Sequence, residues 1–255
     1  MNEQDLKHRK EVNFRMDPEH VFKFDCSQDV SCFTKCCQDV TIVLTPYDVL
    51  RLKNRLNISS DKFLDNYAII RPQPKRLIPL IFLKMNDQDK KCPFVTQEGC
   101  TVYQDRPWPC RMYPLDMNDD GSFCLITDEL HCLGLKKTRS WRIYEWLMSQ
   151  EIIPYDEMND LFSEVTSPLR AQELDIQNPD ISKMIVMALY NLDKFREFIF
   201  DSSFLDRFDI DPIKVVKLQK SDEELLKFAF DWIKFGIFGQ KVLRIKQQPA
   251  ENTKE

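Results

Sequence analysis

The stretch CSQDVSCFTKCC, residues 26–37, holds four of the nine cysteines of this 255-residue chain. The other five lie between residues 92 and 132, and none follows residue 132. Cysteines used as ordinary small apolar residues would be scattered along the chain. Their confinement to two windows predicts a site built from thiolates, and we expect this site to organise the first half of the fold.

The spacing of the cysteines predicts metal binding without identifying the metal. The chain has neither the Cys-x2-Cys pair typical of structural zinc sites nor the cysteine run of bacterial ferredoxins. Eight thiols are nevertheless enough for two four-thiolate sites. The spacings are Cys26-x5-Cys32-x3-Cys36-Cys37 in the first window and Cys92-x7-Cys100-x9-Cys110-x13-Cys124-x7-Cys132 in the second.

The adjacent pair Cys36–Cys37 leaves three arrangements open. In an extended chain the two side chains would point to opposite faces. They would then serve two different centres, or supply one ligand and one buried thiol. A turn would instead bring both sulfurs to a single metal.

Charge and hydropathy argue against nucleic-acid and membrane partners. Lys plus Arg is 36 and Asp plus Glu is 41, a net charge of −5, which is poorly suited to neutralising phosphates. The polar N-terminal segment lacks the apolar stretch of a signal peptide, and no apolar run approaches the roughly 20 residues of a membrane span. We therefore expect a cytoplasmic protein, in which thiols stay reduced and clustered cysteines bind metal more often than they form disulfides.

The pattern of apolar and turn residues predicts an α+β protein: a small irregular cysteine-rich metal-binding core with a few short strands and helices, then an all-helical C-terminal part. The expected segments are a polar arm (1–20), a cysteine-cluster metal-binding domain (21–136), a helical extension (137–245) and a disordered tail (246–255). Helices are predicted after Thr45-Pro46, after Ser59, and over 138–149, 156–169 and 179–200. A last helix is expected after the capping box at Ser221, and strands over 40–44, 76–85 and 123–127.

Basic residues beside the cysteines are candidates for charge compensation. A four-thiolate site carries a large negative charge because coordinated thiols are deprotonated. Arg106 and Arg111 stand out because proline and aromatic residues stiffen their surroundings. The complete set of basic neighbours is Lys35, Lys90, Lys91, Arg106 and Arg111.

Several segments resemble one family. The first cysteine window followed by LTPYDVLRL (44–52) resembles the opening of the YkgJ-like cysteine-cluster proteins, a family described as zinc- or iron-chelating. The segments CPF (92–94), GCTVY (99–103), RP (106–107) and PCRMYP (109–114) are similar to its second half. The closing HCLGL (131–135) is also similar, with Leu133 where proline is usual, and the resemblance covers about residues 24–136.

The resemblance implies a set of metal ligands and leaves three functions to weigh. It implies an iron–sulfur cluster, with a four-iron, four-sulfur form as the candidate, used for redox chemistry or sensing. The second hypothesis is a structural zinc module that binds a protein partner through its helical part. The third is a protein-lysine methyltransferase, because flagellin lysine methylases look similar in the cysteine region, although the chain has no recognisable catalytic motif. The implied ligands are Cys26, Cys32, Cys36, Cys37, Cys92, Cys100, Cys110 and Cys132, with Cys124 as an extra cysteine and His131 most simply a loop histidine.

Overall fold

The structure, a computed structural model, describes residues 15–73, 76–171 and 179–246. Of the predicted arm and tail, residues 1–14 and 247–255 lie outside these described residues. The fold is of the predicted class, with short two-stranded sheets and cysteines in a mixed α+β first part and helices in the second. No helix within the described ranges is long and apolar enough to cross a membrane.

The first part is built from short strands, helices and turns. The helices are α1 (Pro46–Leu56), α2 (Ser60–Tyr67) and α3 (Trp108–Met112). The strands are β1 (Val21–Lys23), β2 (Ala68–Gln73), β3 (Arg76–Leu83), β4 (Val95–Thr96), β5 (Gly99–Cys100), β6 (Leu115–Met117), β7 (Phe123–Leu125) and β8 (Ser140–Arg142). They form four antiparallel pairs, β1–β8, β2–β3, β4–β5 and β6–β7.

Helices make up the second part. They are α4 (Ile143–Ser149), α5 (Ile153–Ala171), α6 (Pro179–Tyr190), α7 (Leu192–Phe200), α8 (Phe204–Arg207), α9 (Pro212–Lys220) and α10 (Asp222–Phe238). Ser221 accepts a hydrogen bond from the Glu224 N–H and so caps α10, as the capping box predicts. Gly239, in the left-handed region at φ 63°, ends the same helix.

Thr45 and Asp48 start α1 with the predicted cap. The Thr45 hydroxyl oxygen accepts a hydrogen bond from the Asp48 N–H, and the Asp48 carboxylate accepts one from the Thr45 N–H. Pro46 occupies the first turn, where no N–H donor is needed. Ser59 caps α2 in the same way through the Lys62 N–H. Both helix starts were therefore readable from the sequence alone.

Three predicted elements are corrected by the structure. The helix expected over 179–200 is two helices, because Asn191 leaves helical geometry and its side chain caps α7 through the Lys194 N–H. The helix expected from residue 138 begins only at Ile143, since residues 140–142 pair with β1 instead. The strand expected over 40–44 is reduced to an isolated bridge between Val43 and Phe82 of β3.

Two hydrophobic cores hold these elements. The larger includes Leu52 of α1, Phe63 of α2, Ile81 of β3 and Phe228 of α10, so it draws on residues from both sides of position 137. The smaller includes Met16, Phe22, Phe24, Met112, Leu115, Phe123, Cys132, Leu135, Ile143, Trp146 and Ile152. The cysteine windows lie between these cores, because Cys92 and Cys100 pack against the larger one and Cys132 belongs to the smaller.

The last helix does not present an exposed aromatic face. Phe228 and Phe230 are buried, while Trp232 and Phe235 are half-buried and stack on each other at 6.1 Å. Such a face would have favoured a partner-binding module, so a protein partner for the helical part stays a prediction.

Candidate metal centre

Four cysteines form a first group, here called the outer group: Cys26, Cys32, Cys36 and Cys132. Partial burial of the Cys26 thiol, and then the negative charge of Cys36, Cys132 and Cys32, raise the pKa of Cys26 to about 11. Such an effect requires that the other three sulfurs lie close to Cys26. The backbone explains the convergence, since the Asp25 N–H donates to the Gly134 carbonyl at 3.1 Å and brings residue 26 beside residue 132.

The remaining four predicted ligands form a second group, here called the inner group: Cys37, Cys92, Cys100 and Cys110. Burial is the main cause of a raised pKa at Cys110, and the neighbouring Cys92 and Cys100 add to it. Cys110 and Cys92 in turn contribute to the raised pKa of Cys37. These mutual effects identify the four thiols as neighbours.

Backbone pairing brings the inner thiols together. The Cys92 N–H donates to the Cys37 carbonyl at 2.8 Å, and the Asp39 N–H donates to the Lys90 carbonyl at 2.9 Å. The β4–β5 hairpin then returns the chain so that Cys100 lies opposite Val95. Residues from two distant parts of the sequence thus converge because their backbones pair, which spacing alone could not reveal.

The two groups meet at the adjacent cysteines. Residues 35–37 form a single turn of 3-10 helix rather than an extended strand. The Cys37 thiol donates a hydrogen bond to the Cys36 sulfur, which lowers the pKa of Cys36 to about 7. Cys36 nevertheless neighbours Cys26 while Cys37 neighbours Cys110. Of the three arrangements that the sequence left open, this geometry favours the one in which the pair serves two centres.

The donor set fits a metal, although the thiols are not yet gathered around one point. Within residues 15–73, 76–171 and 179–246, no three His, Cys, Asp or Glu side chains are arranged so that they could already hold a metal ion. Four neighbouring thiolates repel one another, and a cation is the group that would offset this repulsion and draw them together. Two all-thiol groups of four match the ligands of both zinc and iron–sulfur centres.

Backbone N–H groups and an arginine stabilise negative charge at the inner sulfurs. Burial raises the pKa of Cys92 and of Cys100, but hydrogen bonds from Phe94 and Val95 to Cys92, and from Val102 to Cys100, oppose that rise. Arg106 acts in the same direction on Cys100 and Cys110. Its own pKa is lowered because it is buried.

Arg111 is buried more completely than any other arginine named here and supports the loop that carries Arg106. The residue is only 1 % exposed. It donates to the carbonyls of Arg106 (3.0 Å), Gln150 (2.6 Å) and Gln104, and to the Tyr155 hydroxyl at 3.1 Å. Of the two arginines that the sequence singled out for charge compensation, Arg106 acts on the inner thiols, whereas Arg111 holds backbone carbonyls.

The exposed lysines contribute less to the site. Lys35, Lys90 and Lys91 lie on the surface, and Lys91 pairs with Asp89 at 3.7 Å. Such exposed pairs contribute little to stability. Cys124 is buried in β7 opposite Asp116, and the ring of His131 is hydrogen-bonded to Asp128 at 2.8 Å.

Two residues near the cysteines, Tyr113 and Asp48, were not predicted from the sequence to be parts of the site. The Tyr113 hydroxyl donates a hydrogen bond to the Cys132 sulfur and accepts one from Thr127. Burial and the bond to Cys132 both raise the pKa of Tyr113. Asp48, expected only to cap α1, also accepts a hydrogen bond from the Trp108 N–H at 2.8 Å and so fixes the start of the helix that carries Cys110. The segment PCRMYP thus places Cys110 in the inner group and Tyr113 against the outer one.

Residues 25–145 match the model of the family described as "CxxCxxCC: Putative zinc- or iron-chelating domain". The chain is therefore similar to that family over this part. The match includes all nine cysteines and continues past residue 136 to the start of α4. No curated protein and no solved structure is significantly similar to the chain. A zinc- or iron-chelating cysteine domain is therefore the function that the comparisons support.

Proposed function

We propose that this protein holds an iron–sulfur cluster on its cysteines and uses it for redox chemistry or sensing. One observation carries the proposal: the eight cysteines of the ligand set assemble into two groups of four. Four thiolates are the usual ligand number of an iron–sulfur cluster. The cluster would supply one-electron chemistry that the chain's own side chains lack.

The surroundings of the sulfurs favour a redox role. Hydrogen bonds to ligating sulfurs and burial are the main means by which a protein sets the potential of a cluster. The Tyr113 hydroxyl supplies such a bond to Cys132, and backbone N–H groups supply them to Cys92 and Cys100. Arg106 adds positive charge beside the inner group.

Structural zinc is the second candidate. Cys92 and Cys100 pack against the larger hydrophobic core, where a closed metal site would hold separate segments together. Zinc in such a site can contribute folding free energy on the order of 10 kcal/mol in small domains. The two candidates differ in colour, in sulfide content and in response to reductant.

Metal and sulfide analysis decides between them. The full chain is purified anaerobically, its visible spectrum is recorded, and Fe, Zn and acid-labile sulfide are quantified. A brown protein with iron and sulfide in similar amounts supports the proposal. A colourless protein with stoichiometric zinc overturns it in favour of the structural site.

Ligand variants test the assignment of the thiols. Cys36→Ser and Cys110→Ser should each lower the metal content, because each removes a ligand from one group. Cys124→Ser is the matched control, since Cys124 is a buried cysteine outside both groups, and it should retain its metal. Equal metal content in all three variants would contradict the assignment.

A further inference from the structure

We propose that the two cysteine groups hold metals of unequal permanence: the inner group a lasting, fold-stabilising centre, and the outer group a centre that solvent reaches and that gains and loses its metal. This inference rests on the proposed metal binding and deepens it. Its chemical consequence is that chelators, oxidants or an acceptor protein would act first on the outer group.

Exposure differs between the two groups. Cys26 and Cys36 of the outer group are exposed, whereas every member of the inner group is at least half-buried. The loop that carries three outer cysteines also faces solvent at Gln28, Asp29 and Ser31. A chelator can therefore approach outer sulfurs without any rearrangement of the fold.

The inner cysteines, in contrast, lie on well-anchored segments. Cys92 and Cys100 pack against the core that contains α1, α6 and α10. Cys110 sits on α3, whose first N–H is held by the buried Asp48 carboxylate at 2.8 Å. Freeing these ligands requires opening of packed structure, and such openings cost free energy that solvent-facing loops do not require.

Within the outer loop the backbone hydrogen bonds are local turns, such as Val30 N–H to the Ser27 carbonyl and Phe33 N–H to the Val30 carbonyl. Val30 is its buried residue, and the Gln28 side chain donates to the Glu98 carbonyl at 3.1 Å. Cys132 is the buried outer ligand, and its three neighbours in the group lie on the loop that faces solvent. One buried ligand and three ligands on a loop that faces solvent suit a centre whose metal is exchanged. Since Cys36 and Cys37 are adjacent, loss of the outer metal would also free a thiol directly beside the inner centre.

Metal release and alkylation together test the inference. The metal-loaded full chain is mixed with excess 4-(2-pyridylazo)resorcinol for zinc or bathophenanthroline for iron, in the presence of iodoacetamide. Release should occur in two phases, with the first at least about tenfold faster because it needs no local unfolding. Peptide mass spectrometry should find the four outer cysteines alkylated in the fast phase and the inner four only in the slow phase.

A variant in each group separates the phases further. Cys132→Ser should abolish the fast phase and retain the slow one. Cys100→Ser should abolish the slow phase and lower the thermal midpoint. The alkylation order in the unaltered chain supplies the same assignment without any variant, so misfolding of a variant does not remove the test.

The outcomes distinguish this inference from the proposed function. A chain that binds no metal overturns both. Two metals that leave in one phase, or inner cysteines alkylated first, overturn the inference and leave metal binding intact. If only one metal equivalent is bound, protection of the inner four supports the inference and protection of the outer four refutes it.

Discussion

Replacing Arg111 with methionine should destabilise the protein severely. Arg111 is 1 % exposed, and its guanidinium donates to three backbone carbonyls and the Tyr155 hydroxyl. Its central carbon also lies 4.3 Å from the centre of the Tyr155 ring, in a cation–π arrangement. Glu151, its nearest anion at 4.0 Å, is largely exposed, so the carbonyl dipoles are the main partners of the buried charge.

The expected cost follows from the groups left without partners. An unsatisfied buried acceptor costs roughly 1–3 kcal/mol. Four acceptors lose their donor together, but the costs do not add fully because the site relaxes. Removing the buried charge also removes its own desolvation cost, so we expect a net loss of about 3–5 kcal/mol. Against a typical stability of roughly 5–15 kcal/mol, this is a large fraction.

Urea denaturation followed by circular dichroism measures this loss, with metal content matched between proteins. Arg111→Lys should recover only part of it, because an ammonium group cannot reproduce the planar fork of donors. Arg55→Met is the control, since Arg55 is 48 % exposed and reaches Asp105 only at 4.0 Å; it should cost less than about 0.5 kcal/mol. A loss below about 1 kcal/mol in Arg111→Met would refute the argument.

Three further changes test other parts of the structure. Burial raises the pKa of Asp48 to about 6 from 3.8, so the folded state binds this proton more tightly than the unfolded state does. The free energy of unfolding should therefore fall by on the order of 2–3 kcal/mol as the pH rises through about 4 to 6. Asp48→Asn should remove this pH dependence in denaturant titrations, and an unchanged dependence would contradict the argument. Tyr113→Phe should lower the reduction potential of an iron–sulfur cluster in the outer group, because Cys132 loses a hydrogen-bond donor. A redox titration measures this potential. Tyr103→Phe, at an exposed position, should leave the potential unchanged. Gly134→Ala should lower the stability measured by thermal denaturation by about 1–3 kcal/mol, since the added Cβ would lie 3.0 Å from the Asp25 carbonyl oxygen and from the Phe24 ring. Gly236→Ala, whose added Cβ meets open space within a helix, should instead stabilise the protein by about 0.5–1 kcal/mol. Equal effects of the two changes would count against the packing argument.

The two cysteine groups give the adjacent pair Cys36–Cys37 a specific role. Each residue of the pair lies in a different group, so a single peptide bond joins the two groups. Metal binding at Cys37 would remove the thiol proton that it donates to Cys36, because coordinated thiols are deprotonated. A change at Cys36 should therefore affect metal binding in both groups more than a change at Cys26, which is influenced by Cys36, Cys132 and Cys32 of its own group.

The sequence by itself determined the features that depend on local chemistry. Caps at Thr45, Ser59 and Ser221 were readable because a side-chain oxygen followed by a helical pattern satisfies free N–H groups within one turn. The confinement of cysteines to two windows predicted a thiolate site for a similar reason, since residue type fixes ligand chemistry. The α+β class and the helical second half also followed from periodicity.

Tertiary structure alone decided which cysteines are neighbours and where the long helices break. Cys37 meets Cys92 because residues 37–39 pair with residues 90–92, and a pairing between segments so far apart leaves no trace in cysteine spacing. The helix predicted over 179–200 breaks at Asn191, although its apolar spacing is continuous, because the Asn191 side chain caps α7 and bonds to Asp61 of α2. Likewise, Tyr113 is an ordinary aromatic residue in the sequence and becomes a donor to Cys132 only when the chain folds back. Ligand type is a local property of the chain, whereas grouping and hydrogen bonding depend on contacts between distant residues.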